Sequence, residues 1–269
     1  VTALQVPSAT LTDIGKGRPL VLLHGWSVDR TFFSAQAALA DEGFRLLVPD
    51  QPGHGARPIG QTPPTMAGLA DALDGLLDEA GPDPAVLVGW SMGATVALEH
   101  IARRGTAGIA GLVIVDMTPK VANAADWPHG LTGGQQTADA LATADRMESN
   151  WPLYAPRIAR AMFTADREGS ADLIRRAADR IATRDPVVMA ALWRSLVLSD
   201  HRATIESLPL PVLAVASTGS QLYGPAVAGW IADAAPQGEA VLIEGTGHAP
   251  HIEDPATFNA IVARFARGL

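Results

Sequence analysis

Ser91 stands in Gly89-Trp90-Ser91-Met92-Gly93, directly after the apolar run Val86-Leu87-Val88 and ahead of a helical pattern. A serine on a sharp strand-to-helix turn has its hydroxyl lifted above the sheet edge, where it can attack a carbonyl carbon. The flanking Gly89 and Gly93 let strand and helix approach without a clashing Cβ. A serine hydroxyl is a poor nucleophile at neutral pH and needs a base within hydrogen-bond reach. Of the seven histidines, His248 fits best, in the glycine-flanked loop after the last apolar run. His251 reads as a partly buried residue near a helix start, and His24 and His54 as hydrogen-bonding residues of tight turns. A His248/His251 metal pair lacks a third ligand at metal spacing, so no metal is expected.

The base in turn needs a carboxylate to hold its tautomer and stabilise the imidazolium. The loop after residues 211–216 reads Ser217-Thr218-Gly219-Ser220-Gln221 and carries no acid. The preceding apolar run ends in Asp116, at the mouth of a strand where packing has no use for a carboxylate. Asp116 is therefore assigned as the acid, with Glu244 and Asp233 as distant alternatives. The developing oxyanion needs preorganised donors. The Met92 N–H after the nucleophile is one, and the loop after residues 20–23 places Trp26 to give the other.

The positioning elements follow from periodicity. Residues 20–23, 86–88, 112–115, 211–216 and 240–243 are short continuous apolar runs, the pattern of buried strands, and 44–48, interrupted only by Arg45, reads as a further strand. Helical stripes alternate with them, for example Met66, Leu69, Leu73, Leu76 and Leu77, closed by Gly81-Pro82. This alternation predicts an α/β fold, a doubly wound and mostly parallel sheet. It stops between Asp116 and about Leu208, where 137–149, 171–182 and 186–198 are the clearer helices. The expected organisation is a core of residues 1–116 and 209–269 with an inserted helical cap, 117–208, over the carboxyl edge of the sheet. Trp127, Trp151, Trp193 and Met189 of that insertion are candidates to line the cleft, against the plainer reading that they are its own core.

At 269 residues the chain fits one domain with an insertion. A net charge of −8 with no basic block argues against nucleic-acid binding and against an anionic membrane surface. No apolar stretch is long enough to span a bilayer. The absence of cysteine removes disulfides, thiolate metal sites and a cysteine nucleophile. Residues 1–20 show no signal-peptide pattern, so a cytoplasmic location is expected.

The segments His24-Gly25-Trp26, Asp50-Gln51-Pro52-Gly53-His54-Gly55, Gly89-Trp90-Ser91-Met92-Gly93 and Gly245-Thr246-Gly247-His248-Ala249-Pro250 together resemble the α/β-hydrolase superfamily, in its capped serine esterase/lipase form. The resemblance runs in the family's order over nearly the whole chain. It implies Ser91 as nucleophile, His248 as base, and Trp26 with Met92 as oxyanion donors. One departure matters: many members carry their acid after the strand corresponding to 211–216, and others one strand earlier, which fits Asp116. The serine argues against the members that attack with aspartate. The expected activity is hydrolysis of carboxylic esters of hydrophobic small molecules through an acyl-serine, without a cofactor. Lactonase (for example on acyl-homoserine lactones), thioesterase, perhydrolase and carbon–carbon bond hydrolase share the triad, and a non-hydrolysing receptor is the remote alternative. Without a basic cluster in the cap, a strongly anionic acyl carrier such as coenzyme A is disfavoured.

Overall fold

A computed structural model describes residues 9–164 and 167–269. Seven strands form one sheet: β1 (Leu11–Gly15), β2 (Arg18–Leu23), β3 (Phe44–Pro49), β4 (Ala85–Trp90), β5 (Ile109–Val115), β6 (Val212–Ser217) and β7 (Gly238–Ile243). Their order is β1-β3-β2-β4-β5-β6-β7, with β1 antiparallel to β3 and all other pairs parallel. The central strands are apolar because both faces are covered: every residue of β4 and β6 is buried. The edge strand β1 is only half-buried, so its Leu-Thr-Asp-Ile-Gly sequence has no apolar run to signal it.

Helices make the crossovers. A 3-10 stretch, Arg30–Ala37, and α1 (Ala38–Asp41) join β2 to β3, α2 (Met66–Ala80) joins β3 to β4, and α3 (Met92–Arg104) joins β4 to β5. Thr65 caps α2 by accepting from the Gly68 N–H at 3.1 Å. The chain moves outward from β2 to β3 and then returns to the other side of β2 as β4. The carboxyl ends of β2 and β4 thus flank the switch point of the sheet, the crevice where such folds bind ligands.

Between β5 and β6 lie α4 (Thr137–Ser149), α5 (Trp151–Met162), α6 (Ser170–Ala182), α7 (Pro186–Leu198) and α8 (Arg202–Glu206). The described residues of this segment add no strand to the sheet. α4 packs on α7 and α5 on α6. Indole N–H groups tie each pair: Trp193 Nε1 donates to Ala140 O and Trp151 Nε1 to Ile181 O, both at 2.9 Å. α5 has a proline at its start, where no intrahelical N–H is needed, and Pro156 further in. Those prolines hide the helix from a reading by periodicity. After β6 come α9 (Ala226–Ala234), then α10 (Pro250–Glu253) and α11 (Pro255–Arg267) behind β7. No helix among the described residues is long and apolar enough to cross a membrane.

Two buried features make measurable demands on stability. A Cβ on Gly93 would lie 2.0 Å from the Leu23 carbonyl oxygen, a backbone atom that cannot turn aside. Gly93→Ala is therefore expected to lower unfolding free energy by about 3 kcal/mol or more, read by urea unfolding. His251 is fully buried among the rings of Phe33, Trp90 and Phe258, and neither ring nitrogen has a partner. Burial, aided by His248, pushes it down to about 3 from 6.5. The unfolded chain then takes up this proton first, so stability falls as pH drops below about 6.5 and continues to fall towards about 3. His251→Phe should remove about 1.4 kcal/mol per pH unit from the slope of unfolding free energy between pH 6 and 5.

Candidate active site

The backbone marks the site before any side chain does. Among the described residues three non-glycine positions have positive φ: Ser27 (66°), Ser91 (53°) and Asp116 (44°). They follow β2, β4 and β5, on the carboxyl edge of three adjacent strands. Such conformations cost about 1–3 kcal/mol each and persist where the surroundings enforce them. Ser91, with φ 53° and ψ −124°, is pinned at both ends: its N–H donates to Val115 O at 3.0 Å and its carbonyl accepts from Ala94 N at 2.9 Å. Met92 opens α3, so its N–H is among those a helix start leaves without an intrahelical acceptor.

The loop after β2 lies against this turn; a Cβ on Gly25 would be 3.3 Å from the Ser91 Cβ. Two buried histidines shape it. His24 Nδ1–H donates to Gly25 O at 2.8 Å while its Nε2 accepts from Gln51 N at 3.0 Å. His54 Nδ1–H donates to Pro52 O at 3.1 Å while its Nε2 accepts from Ser27 N at 3.1 Å. Each ring needs one protonated and one bare nitrogen, so both are neutral, and burial pushes both below the usual histidine range. From the other side, Trp26 Nε1 donates to Met189 O at 3.0 Å, and its ring meets those of Trp151 and Trp193. Asp29, at the end of this loop, is paired with Arg180 of α6 at 2.9 Å and with Arg184 of the turn after α6 at 3.4 Å.

His248 and Asp116 meet directly, Nδ1 to Oδ2 at 2.6 Å, with both side chains buried. Asp116 is held by its own N–H, which donates to Val215 O at 2.7 Å, and by Ser217 N, which donates to its Oδ1 at 3.2 Å. Ser220 Oγ donates to the same Oδ2 at 2.6 Å. The loop carrying His248 is strapped on three sides. Trp90 Nε1 donates to His248 O at 2.7 Å, Ala249 N to Met162 O at 3.1 Å, and the buried carboxylate of Glu253 accepts from Gly247 N at 2.5 Å and from Thr164 N at 2.9 Å.

Ser91 and His248 open on one cavity of about 240 Å³, walled by Trp26, side chains of α4, α5 and α7, and Leu222 and Tyr223 after β6. No hydrogen bond joins Ser91 Oγ to His248; such bonds are commonly long without substrate and tighten around it. The walls are mainly apolar, with Leu131, Met147, Ile158, Met162 and Leu196 among them.

Of the residues proposed from sequence, Ser91, His248, Asp116, Trp26 and Met92 come together here, and Trp193 lines the cavity. Trp127, Trp151 and Met189 do not. Trp127 packs edge-on to Trp230 and donates to Lys120 O at 2.8 Å. Trp151 braces Trp26 and ties α5 to α6, and Met189 is buried, with its carbonyl accepting from Trp26. Glu244 and Asp233 are not among the groups that touch His248 Nδ1, where Asp116 sits. Tyr223, at the cavity, and Ser220, on Asp116, carry no motif in the sequence, and only the folded chain brings them to the site.

The comparisons with known proteins agree with this architecture. A profile of the alpha/beta hydrolase family matches residues 20–261. The pimeloyl-[acyl-carrier protein] methyl ester esterase of Aromatoleum aromaticum is 30% identical over 93% of this chain and 98% of its own. A thermophilic esterase from Thermogutta terrifontis superposes with a TM-score of 0.83 at 25% identity, covering 99% of both chains. The esterase EaEST from Exiguobacterium antarcticum gives 0.86 at 18% identity, over 96% of this chain and 94% of that one. With a strand order, a turn and a family profile that agree over nearly its whole length, this chain belongs to the alpha/beta hydrolase family.

Proposed function

We propose that the protein is a serine esterase that hydrolyses carboxylic esters of hydrophobic acids, with Ser91, His248 and Asp116 as its triad. The observation that carries this is the 2.6 Å contact between His248 Nδ1 and Asp116 Oδ2, behind a cavity that Ser91 shares. Nδ1 facing a carboxylate makes it the protonated nitrogen and leaves Nε2 as the basic one. Nε2 takes the Ser91 proton as Oγ attacks the ester carbonyl. The tetrahedral oxyanion is met by the main-chain N–H groups of Met92 and Trp26, each worth about 3–4 kcal/mol where such donors have been removed. His248 then protonates the leaving alkoxide, and a water activated by the same nitrogen releases the acid from Ser91. Asp116 stays ionised and holds the imidazolium.

The segment 117–208 acts as the cap, since α4, α5 and α7 wall the cavity over the strand ends. At about 240 Å³ the cavity lies below the usual range for drug-sized ligands, which favours a compact ester over a long-chain one. The relatives named for a methyl ester favour a small alcohol group. Their acyl group is carried on a protein. Here Arg175, Arg176, Arg180, Arg184, Arg194 and Arg202 of the cap are paired with carboxylates, which favours a small neutral ester over an anionic carrier. Arg157, at the cavity over the Tyr154 ring, is one feature that speaks for a carrier-linked substrate.

Methyl and p-nitrophenyl esters of rising acyl length, beside a lactone and a thioester panel, test this reading. The expected profile peaks at short to medium acyl chains and falls for long ones, with esters ahead of lactones and thioesters; steady multiple turnover excludes a receptor. Ser91→Ala should abolish turnover. Asp116→Asn should lower kcat about 10,000-fold in a folded protein, whereas near wild-type activity in that variant would remove Asp116 from the triad.

A further inference from the structure

Ser220 occupies the loop after β6, where no carboxylate stands, and its hydroxyl reaches the acid from the neighbouring strand end. Its oxygen accepts the N–H groups of Leu222 at 3.3 Å and Tyr223 at 3.4 Å. A hydroxyl has one proton and two lone pairs. With both lone pairs facing N–H groups, the proton has one direction left, Asp116 Oδ2 at 2.6 Å. That is the length of a hydrogen bond from a hydroxyl to an ionised oxygen. The same oxygen faces His248 Nδ1, so one carboxylate atom is held between the serine and the base. The turn that aims Ser220 is itself anchored, with Thr132 N donating to Leu222 O at 2.9 Å and Gln221 Nε2 to Phe163 O at 3.1 Å.

We propose that Ser220 is a positioning residue of the catalytic acid: its proton fixes Asp116 Oδ2 in line with His248 and disperses part of the carboxylate charge. This rests on the Ser91–His248–Asp116 reading above. Without the hydroxyl, Asp116 Oδ2 keeps more charge and holds the imidazolium more tightly, while its orientation loosens. The acid limb of the kcat/KM profile then moves to higher pH, and kcat at the plateau falls. Ser220 itself does not line the cavity, and the turn carrying Leu222 and Tyr223, which do, stays anchored through Thr132 and Gln221, so substrate contacts change little. The other groups facing His248 leave this limb clear. The Tyr223 phenol, its ring 5.8 Å away, is pushed up by burial and by Asp116 and stays neutral. His251 is pushed down to about 3 and is neutral above that. Glu253 is engaged by Gly247 and Thr164 on the far side of the loop.

The test is a double-mutant cycle on the full chain, with a p-nitrophenyl ester and pH profiles for each variant. Ser220→Ala should lower kcat about ten- to hundredfold, the range for a hydrogen bond to a charged group. KM should stay within about twofold, and the acid limb should rise by roughly half a pH unit or more. Ser220→Thr, which keeps the hydroxyl, should recover most of the loss. Because the effect passes through the carboxylate, Ser220→Ala should change kcat less than about twofold in an Asp116→Ala background. An unaltered kcat and pH profile in Ser220→Ala, or an undiminished further loss in the Asp116→Ala background, overturns the role of Ser220. Near wild-type kcat in Asp116→Ala overturns the triad reading instead, so the two failures are distinct.

Discussion

A close backbone approach governs this molecule: the first turn of α3 lies so near the end of β2 that Gly93 has no room for a Cβ beside the Leu23 carbonyl. Gly89 meets the same restriction from the other side, its would-be Cβ standing 2.4 Å from the Ala94 Cα. Between the two, the chain must turn from strand to helix within a residue or so, and Ser91 takes a backbone conformation that a side-chain-bearing residue rarely adopts. The turn lifts the serine above the sheet, presents the first N–H groups of α3 beneath it, and sets the β2 loop within van der Waals reach. Steric exclusion does this, and the favourable terms are elsewhere: the buried faces of β2, β4, β5 and β6, whose aliphatic side chains are almost wholly removed from water.

The site is assembled by strand ends and kept by polar contacts across them. β4 supplies Ser91, and Trp90 beside it reaches across to the carbonyl of His248. β5 supplies Asp116, and the turn after β6 supplies the donors that hold it. The His248 loop hangs from these contacts and from Glu253, so the imidazole is placed by groups from four different parts of the chain. Beneath the β2 loop, His24 and His54 do the opposite of titrating. Burial keeps them neutral, and as neutral rings each can accept one backbone N–H and donate to one carbonyl. Protonating either would replace an accepted bond with a clash of two donors.

Much of this was legible from residue order. Six of the seven strands stand where short apolar runs stop at glycine, proline or polar turns. Ser91, His248 and Asp116 each follow such a run, on the one edge a parallel sheet offers. What escaped detection had physical reasons. β1 pairs on the outside of the sheet and is half-exposed, so it carries no apolar run. α5 contains two prolines that read as breaks, yet the first needs no intrahelical N–H and the second, Pro156, lies on the exposed side of a helix whose buried side packs on α6. Large aromatic side chains in the inserted segment are equally suited to a cleft and to a core. All three indole N–H groups go to main-chain carbonyls, but Trp193 lines the cavity, whereas Trp127 and Trp151 are buried away from it. Hydrophobicity alone does not separate these cases. Ser220 was invisible for another reason: its part depends on which hydroxyl proton has nowhere else to go, and that is a property of three dimensions.

The central claim is that an ester's acyl group passes through Ser91. Intact-mass analysis of protein quenched in acid during turnover of a slowly deacylated ester, followed by peptide mapping, tests it directly. The expected result is a mass increase of one acyl group per chain, located on the peptide that contains Ser91. An acyl group on another residue, or turnover with no acylated protein under conditions where deacylation limits the rate, would contradict it.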